Sequence, residues 1–325
     1  MAIPNNSNDA PRLRRGIGLV AAVALSVTSA IGTGVFLKAR VMICNVGTPE
    51  MVLLAYAVAG LFVLAGAFIY AELSTLMPRS GGAYNYIGAA YGRFWAFLYG
   101  WMETVIDGAG SMAALAIVFV IFFNDLLGGI LSSGASALLV AATLVFVTAV
   151  NLASVRANGS LATVVTGIKV ALLIGIAGCA FFFGDGSWAN YALSGADGTC
   201  EGVPAEARMG LAGFGAAIIA AMWSYSGATT IIVVAEEVRD PARTLPHALF
   251  SSALILIGLY VLINAAYFYA LSPETVASIP ESSSVAGAVI ARLVGAGAST
   301  LMAAGLLRSP FGALHRPLLS LSLLS

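Results

Sequence analysis

Long apolar runs separated by short polar stretches set the pattern of this chain. The first begins near Gly16 and reaches Leu37 without a charge. Others follow at 52–77, 94–123, 135–153, 161–183, 211–235 and 249–271, with a weaker one at 293–307. A helix of about 20 apolar residues spans the ~30 Å hydrocarbon core of a bilayer. The pattern therefore predicts about eight membrane-spanning helices. Between them, 38–50 reads as a short connection and Pro78-Arg79-Ser80-Gly81-Gly82 as a turn that helix does not traverse easily. The segment 184–209 is the longest polar loop, and the polar stretch 272–284 leads to the eighth run.

Two runs carry an interruption. Gly32, Thr33 and Gly34 fall deep in the first, where each interior glycine costs about 1 kcal/mol relative to alanine. Unwinding there is cheap, and peptide groups freed at bilayer depth are tolerated only where protein buries them or a cavity is lined. The competing reading is that small residues let another helix pack close. The sixth run repeats the peculiarity at Met222-Trp223-Ser224-Tyr225-Ser226-Gly227-Ala228-Thr229-Thr230. Interrupted helices in corresponding positions of two halves point to a transporter site built on an inverted repeat.

The composition sharpens this. Among 325 residues, 60% are hydrophobic and 9% charged, against roughly 25% charged in soluble domains, so the chain reads as a polytopic membrane protein. The net charge is zero and no basic tract calls for nucleic acid, so that class is dropped. Arg12, Arg14 and Arg15 precede the first run, which is too long for a signal peptide and lacks a clear cleavage site, so it reads as a retained span. Lysines and arginines at the ends of the runs favour a cytoplasmic N-terminus. His247 and His315 stand far apart, and no metal-ligand or Ser/His/Asp spacing emerges, so an enzyme, a metal and a cofactor are not expected. Cys44 and Cys200 both fall on the outer side in this topology, which allows a disulfide without requiring one, and Cys179 reads as inert packing.

Three stretches carry a resemblance: Ile31-Gly32-Thr33-Gly34-Val35-Phe36, the run from Tyr70-Ala71-Glu72 through Pro78-Arg79-Ser80-Gly81-Gly82-Ala83-Tyr84, and Ala235-Glu236-Glu237-Val238-Arg239-Asp240-Pro241. In this order the chain resembles the amino acid-polyamine-organocation superfamily, and is similar to its L-type amino acid transporters. The resemblance implies an all-α polytopic membrane protein with a LeuT-like inverted-repeat fold, here with about eight of twelve spans. The expected organisation is a cytoplasmic tail at 1–15, a permease core at 16–307 and a divergent tail at 308–325. The first repeat takes the first five spans and a partial second repeat the remaining three.

The function implied is secondary transport of amino acids across the plasma (inner) membrane, by alternating access around the two unwound spans, coupled to protons or run as exchange. The alternative is a truncated fragment that transports nothing. By resemblance, the substrate carboxylate meets backbone amides at Thr33 and Gly34, as a helix N-terminus also favours. The ammonium meets carbonyls near Ala30, Ile31, Trp223, Ser224 and Ser226, and Trp223 is the aromatic gate. Lys169 lies inside the fifth span, where a charge costs at least about 2.5 kcal/mol and usually faces the interior. The resemblance makes it a stand-in for sodium, linked to proton coupling. Glu72 is implied as a gate residue. Glu103 and Asp107 share one helix face but match no family role. Glu236, Glu237, Arg239, Asp240 and Arg243 are expected to form ion pairs closing the cytoplasmic side. The loop 124–134 has no cysteine, so no disulfide-linked heavy chain is expected.

Overall fold

The computed structural model describes residues 16–127, 130–153, 158–281 and 283–294. The expected tails at 1–15 and 308–325 and all but the start of the expected run 293–307 lie outside the described residues. The first apolar run forms two helices, α1 (Leu19–Ala30) and α2 (Gly34–Val46), bent by 47° at the break between them. α2 absorbs most of what reads in sequence as the connection 38–50. Its Lys-Ala-Arg-Val-Met-Ile-Cys continuation contains no breaker until Gly47, whose left-handed φ of 79° ends the helix. Pro49 then opens α3 (Pro49–Leu76) at a first-turn position, where its missing N–H costs nothing.

The turn after α3 is present, yet it gives way at once to a short helix, α4 (Ala83–Tyr91), stopped by Gly92 at φ 91°. α5 (Arg93–Trp101) and α6 (Ala109–Leu126) are one rod joined by a π-helical turn, Met102–Gly108, which a reading of the third run as uniform helix does not foresee. That turn carries Glu103, bonded to the Tyr99 hydroxyl, and Asp107, which is exposed. α7 (Ser133–Ala153) and α8 (Asn158–Phe183) match the fourth and fifth runs. α9 (Gly210–Tyr225) stops inside the sixth run, and a 3₁₀ stretch, Thr230–Glu237, continues it. α10 (Pro241–Ala270) starts eight residues before the apolar run 249–271, because Pro241 again supplies an N-terminal turn. α11 (Pro273–Ala277), capped by the Ser272 hydroxyl, and α12 (Val285–Val294) follow.

Among the described residues, four helical segments are long and apolar enough to cross a membrane: Pro49–Leu76, Arg93–Val120, Gly210–Glu237 and Pro241–Ala270. The bent α1–α2 pair makes a fifth. The packing is centred on α10, which lies along α3, α1 and α8, while α2 and α3 pack against α9. α6 pairs with α7. At one end of the bundle, here the Gly16 end, the chain is sealed by backbone. The amides of Gly16 and Ile17 donate to the Glu237 carbonyl, Arg239 N donates to the Ile17 carbonyl, and Gly81 N donates to the Val233 carbonyl at 3.0 Å. The Glu236 carboxylate accepts from the Ser80 amide at 3.1 Å. Peptide groups thus take part in closing this end beside the charged side chains expected there.

At the opposite, Cys44 end, the polar loop 184–209 folds back over the bundle. Cys44 at the end of α2 is bonded to Cys200 of that loop, across 156 residues of sequence. The burial of both sulfurs beside α11 settles the pairing that the sequence left open. Closing so long a loop typically stabilises a fold by about 2–4 kcal/mol. Maleimide labelling of the unreduced protein is expected to modify Cys179 alone, and all 3 cysteines after reduction and unfolding. Labelling of Cys44 without reduction would remove the bond. Cys179 itself is exposed on α8 rather than packed inside.

Candidate functional site: two broken helices in contact

The α1 helix ends at Ile31, whose ψ of 85° turns the backbone out of helical geometry. Ile31 N makes the last helical bond, to the Val27 carbonyl, and Gly32 N closes a tight turn on the Ala30 carbonyl at 2.7 Å. α2 then begins at Gly34. A new helix start leaves its first amides without helical partners and carries the positive end of the dipole. The amides of Thr33, Gly34 and Val35 occupy that position. The second break follows the same logic. Ser226 adopts an extended ψ of 129° and Gly227 a φ of 93°, a left-handed value that glycine takes without strain.

The breaks meet. A Cβ on Gly34 would lie 2.7 Å from Ser224 Oγ, 2.9 Å from Ser224 Cα and 3.1 Å from Trp223 Cδ1, so only a hydrogen fits there. Behind this contact stands a layer of buried tyrosines. The Tyr260 hydroxyl donates to the Ser224 carbonyl at 2.7 Å, the Tyr225 hydroxyl donates to the Tyr56 carbonyl at 3.1 Å, and Tyr56 Oη is 3.4 Å from Ser224 Oγ. These bonds satisfy polar groups that the end of α9 would otherwise bury unpaired, at a cost of about 1–3 kcal/mol each. They also fix the depth at which α9 stops.

Lys169 reaches the first break from α8. It is 7% exposed, and its ammonium donates to the Ile31 carbonyl at 2.8 Å, with the Thr28 carbonyl at 3.5 Å. A cation at a helix C-terminus meets the negative end of the dipole. Lys169 therefore lies inside the bundle and does not snorkel towards either surface.

The structure brings together Ala30, Ile31, Thr33, Gly34, Trp223, Ser224 and Lys169. Ala30, Ile31, Thr33 and Ser224 are buried, whereas Trp223 and Ser226 are exposed. Glu72 stands exposed near the end of α3, and none of the described bonds of the Gly16-end seal involves its side chain. Sequence reasoning missed Tyr56, Tyr225 and Tyr260 as supports of the break. The signal available was polar atoms spaced along runs otherwise free of them, such as Tyr260 and Asn264, four apart on one face of α10. Among the described residues no group of three His, Cys, Asp or Glu is placed to hold a metal.

Comparison with known proteins places the chain in a family. The profile described as amino acid permease matches residues 17–320. The chain is 30% identical over 308 residues to the serine/threonine exchanger SteT of Bacillus subtilis, covering 95% of this chain and 66% of that one. It is 29% identical over 269 residues to the b(0,+)-type amino acid transporter 1 of Mus musculus, covering 80% and 52% respectively. Against the large neutral amino acids transporter small subunit 2 of Homo sapiens it is 30% identical over 267 residues, covering 81% and 48%. The chain thus spans about half to two thirds of the length of these relatives. With two broken, mutually packed helices in an integral membrane bundle and a profile match over nearly its whole length, the chain belongs to the amino acid permease family.

Proposed function

We propose that the gap between the two breaks holds the backbone of an amino acid, and that the chain moves it across the plasma (inner) membrane by alternating access. The observation that carries the reading is the contact of Gly34 with Ser224, which joins an unwound carbonyl end and a fresh helix N-terminus in one place. The substrate carboxylate accepts from the amides at Thr33 and Gly34. Its ammonium donates to carbonyls near Ala30, Ile31 and Ser226. The Ser224 carbonyl already accepts from Tyr260 and offers its second lone pair. Trp223 covers the gap from the Cys44 side as a gate, and Glu72 serves the opposite gate. Lys169 couples the state of the first break to protonation, because its ammonium neutralises the Ile31 carbonyl end that a sodium ion would otherwise occupy.

The Gly16 end is the cytoplasmic one on this reading, with the N-terminus inside, and its backbone seal closes that side. No cysteine stands in 124–134 to take a disulfide-linked partner. A second reading has the chain binding substrate without completing the cycle by itself. Uptake of a panel of labelled amino acids into proteoliposomes, with and without a pH gradient, separates the two. Saturable uptake supports the carrier. Saturable binding without uptake leaves the second reading, and the absence of both binding and uptake removes both.

A further inference from the structure

Lys38 is the charged residue of α2 nearest the break. It lies one turn beyond Gly34, and residues four apart share a helix face, so it stands over the same α9 residues that Gly34 touches. Its ammonium is 5.6 Å from the centroid of the Trp223 ring, within cation–π range. The indole is 43% exposed, so the cation sits against the ring that borders the gap on the Cys44 side. Two other charges reach Lys38 electrostatically, Glu281 and Arg40. Arg40 is 5% exposed and its guanidinium donates to the Glu201 carbonyl at 2.8 Å, which holds its charge against the loop and adds to the positive field. Glu281, exposed beside Gly202, acts on Lys38 more strongly than Arg40 does and with the opposite sign.

We propose that Lys38, held over Trp223, makes the Cys44-side mouth of the gap a cation-repelling filter and is a specificity-determining residue that admits zwitterionic and anionic amino acids over cationic ones. The ligand class rests on the carrier reading, whereas the filter rests on the geometry of Lys38 and Trp223 alone. Like charge at a narrow mouth lowers the local concentration of a cation and raises that of an anion, and the effect weakens with salt.

The test uses the reconstituted chain with Lys38→Glu, Lys38→Gln and Lys38→Arg. Trp223 fluorescence is taken as the difference between each protein and the same protein carrying Trp223→Phe, and is quenched with iodide and with caesium. In the parent chain iodide is the stronger quencher. The iodide-to-caesium ratio falls about fivefold in Lys38→Glu, less in Lys38→Gln, and holds in Lys38→Arg. A ratio unchanged in both Lys38→Glu and Lys38→Gln overturns the filter.

Binding and uptake of neutral, anionic and cationic amino acids then test the selectivity. Lys38→Glu raises cationic relative to neutral substrates about tenfold. A shifted quenching ratio with an unchanged substrate preference overturns the specificity assignment and leaves the carrier reading standing. A parent chain that binds none of the three classes removes the carrier reading and the ligand class with it, while the quenching ratio still decides the filter.

Discussion

Lys169→Ala is expected to lower amino acid uptake at least about tenfold and to leave the residual rate independent of pH. The ammonium makes a charge-assisted bond to the Ile31 carbonyl at 2.8 Å inside the bundle. Bonds of that kind contribute roughly 1.5–3 kcal/mol, or about tenfold to a hundredfold in an equilibrium. Alanine leaves a carbonyl buried without its donor and a void beside α1. Both costs fall at the break, so the position of the Ile31 turn is lost before the fold is. Lys169→Gln separates the two roles assigned to the residue, since an amide donates to the carbonyl without carrying the proton. Its uptake is expected to exceed that of the alanine variant while remaining insensitive to pH. Proteoliposome uptake measured across external pH decides the matter, and a Lys169→Ala protein that keeps the parent pH profile takes Lys169 out of the coupling mechanism.

Gly34→Ala is expected to abolish most transport, whereas Gly32→Ala leaves the folded protein intact. The two glycines look alike in sequence and differ in what faces them. A Cβ at position 34 would press on Ser224 Cα at 2.9 Å, a backbone atom that cannot rotate away. A Cβ at position 32 would find nothing closer than the Ala30 carbonyl oxygen at 3.8 Å. Overpacking of this sort costs about 1–3 kcal/mol, and here it acts by forcing α2 away from α9. The separation widens the gap that the substrate must bridge. Comparative uptake and thermal melting of the two variants check this. Equal melting and equal uptake for Gly34→Ala and the parent would show that the helices do not touch at this point.

The large features were legible because membrane physics leaves few choices. A charge-free apolar run must be helix, and glycines around a threonine in its middle mark where the helix is cheapest to open. Those rules located the first and sixth breaks. They also pointed Lys169 inward, since a charge among lipid tails is expensive. The same rules misjudged α2, which stays helical through Lys38 and Arg40. A polar residue near a helix end is held by partners, here Trp223 and the Glu201 carbonyl, that lie far away in sequence. The backbone seal at Gly16, Ile17, Glu237 and Arg239 was invisible for a related reason, because peptide-to-peptide bonds need no particular side chain.

The sequence alone therefore determined which of the described segments are apolar helices, where two of them come apart and which buried charge has to find a partner. All three follow from the local cost of placing a residue in hydrocarbon. Only the tertiary structure decided that the two breaks touch, that Tyr56, Tyr225 and Tyr260 hold the end of α9, that Cys44 finds Cys200, and that Gly34 rather than Gly32 is the point of contact. These depend on how helices distant in sequence pack together, and a local pattern carries no record of which face meets which.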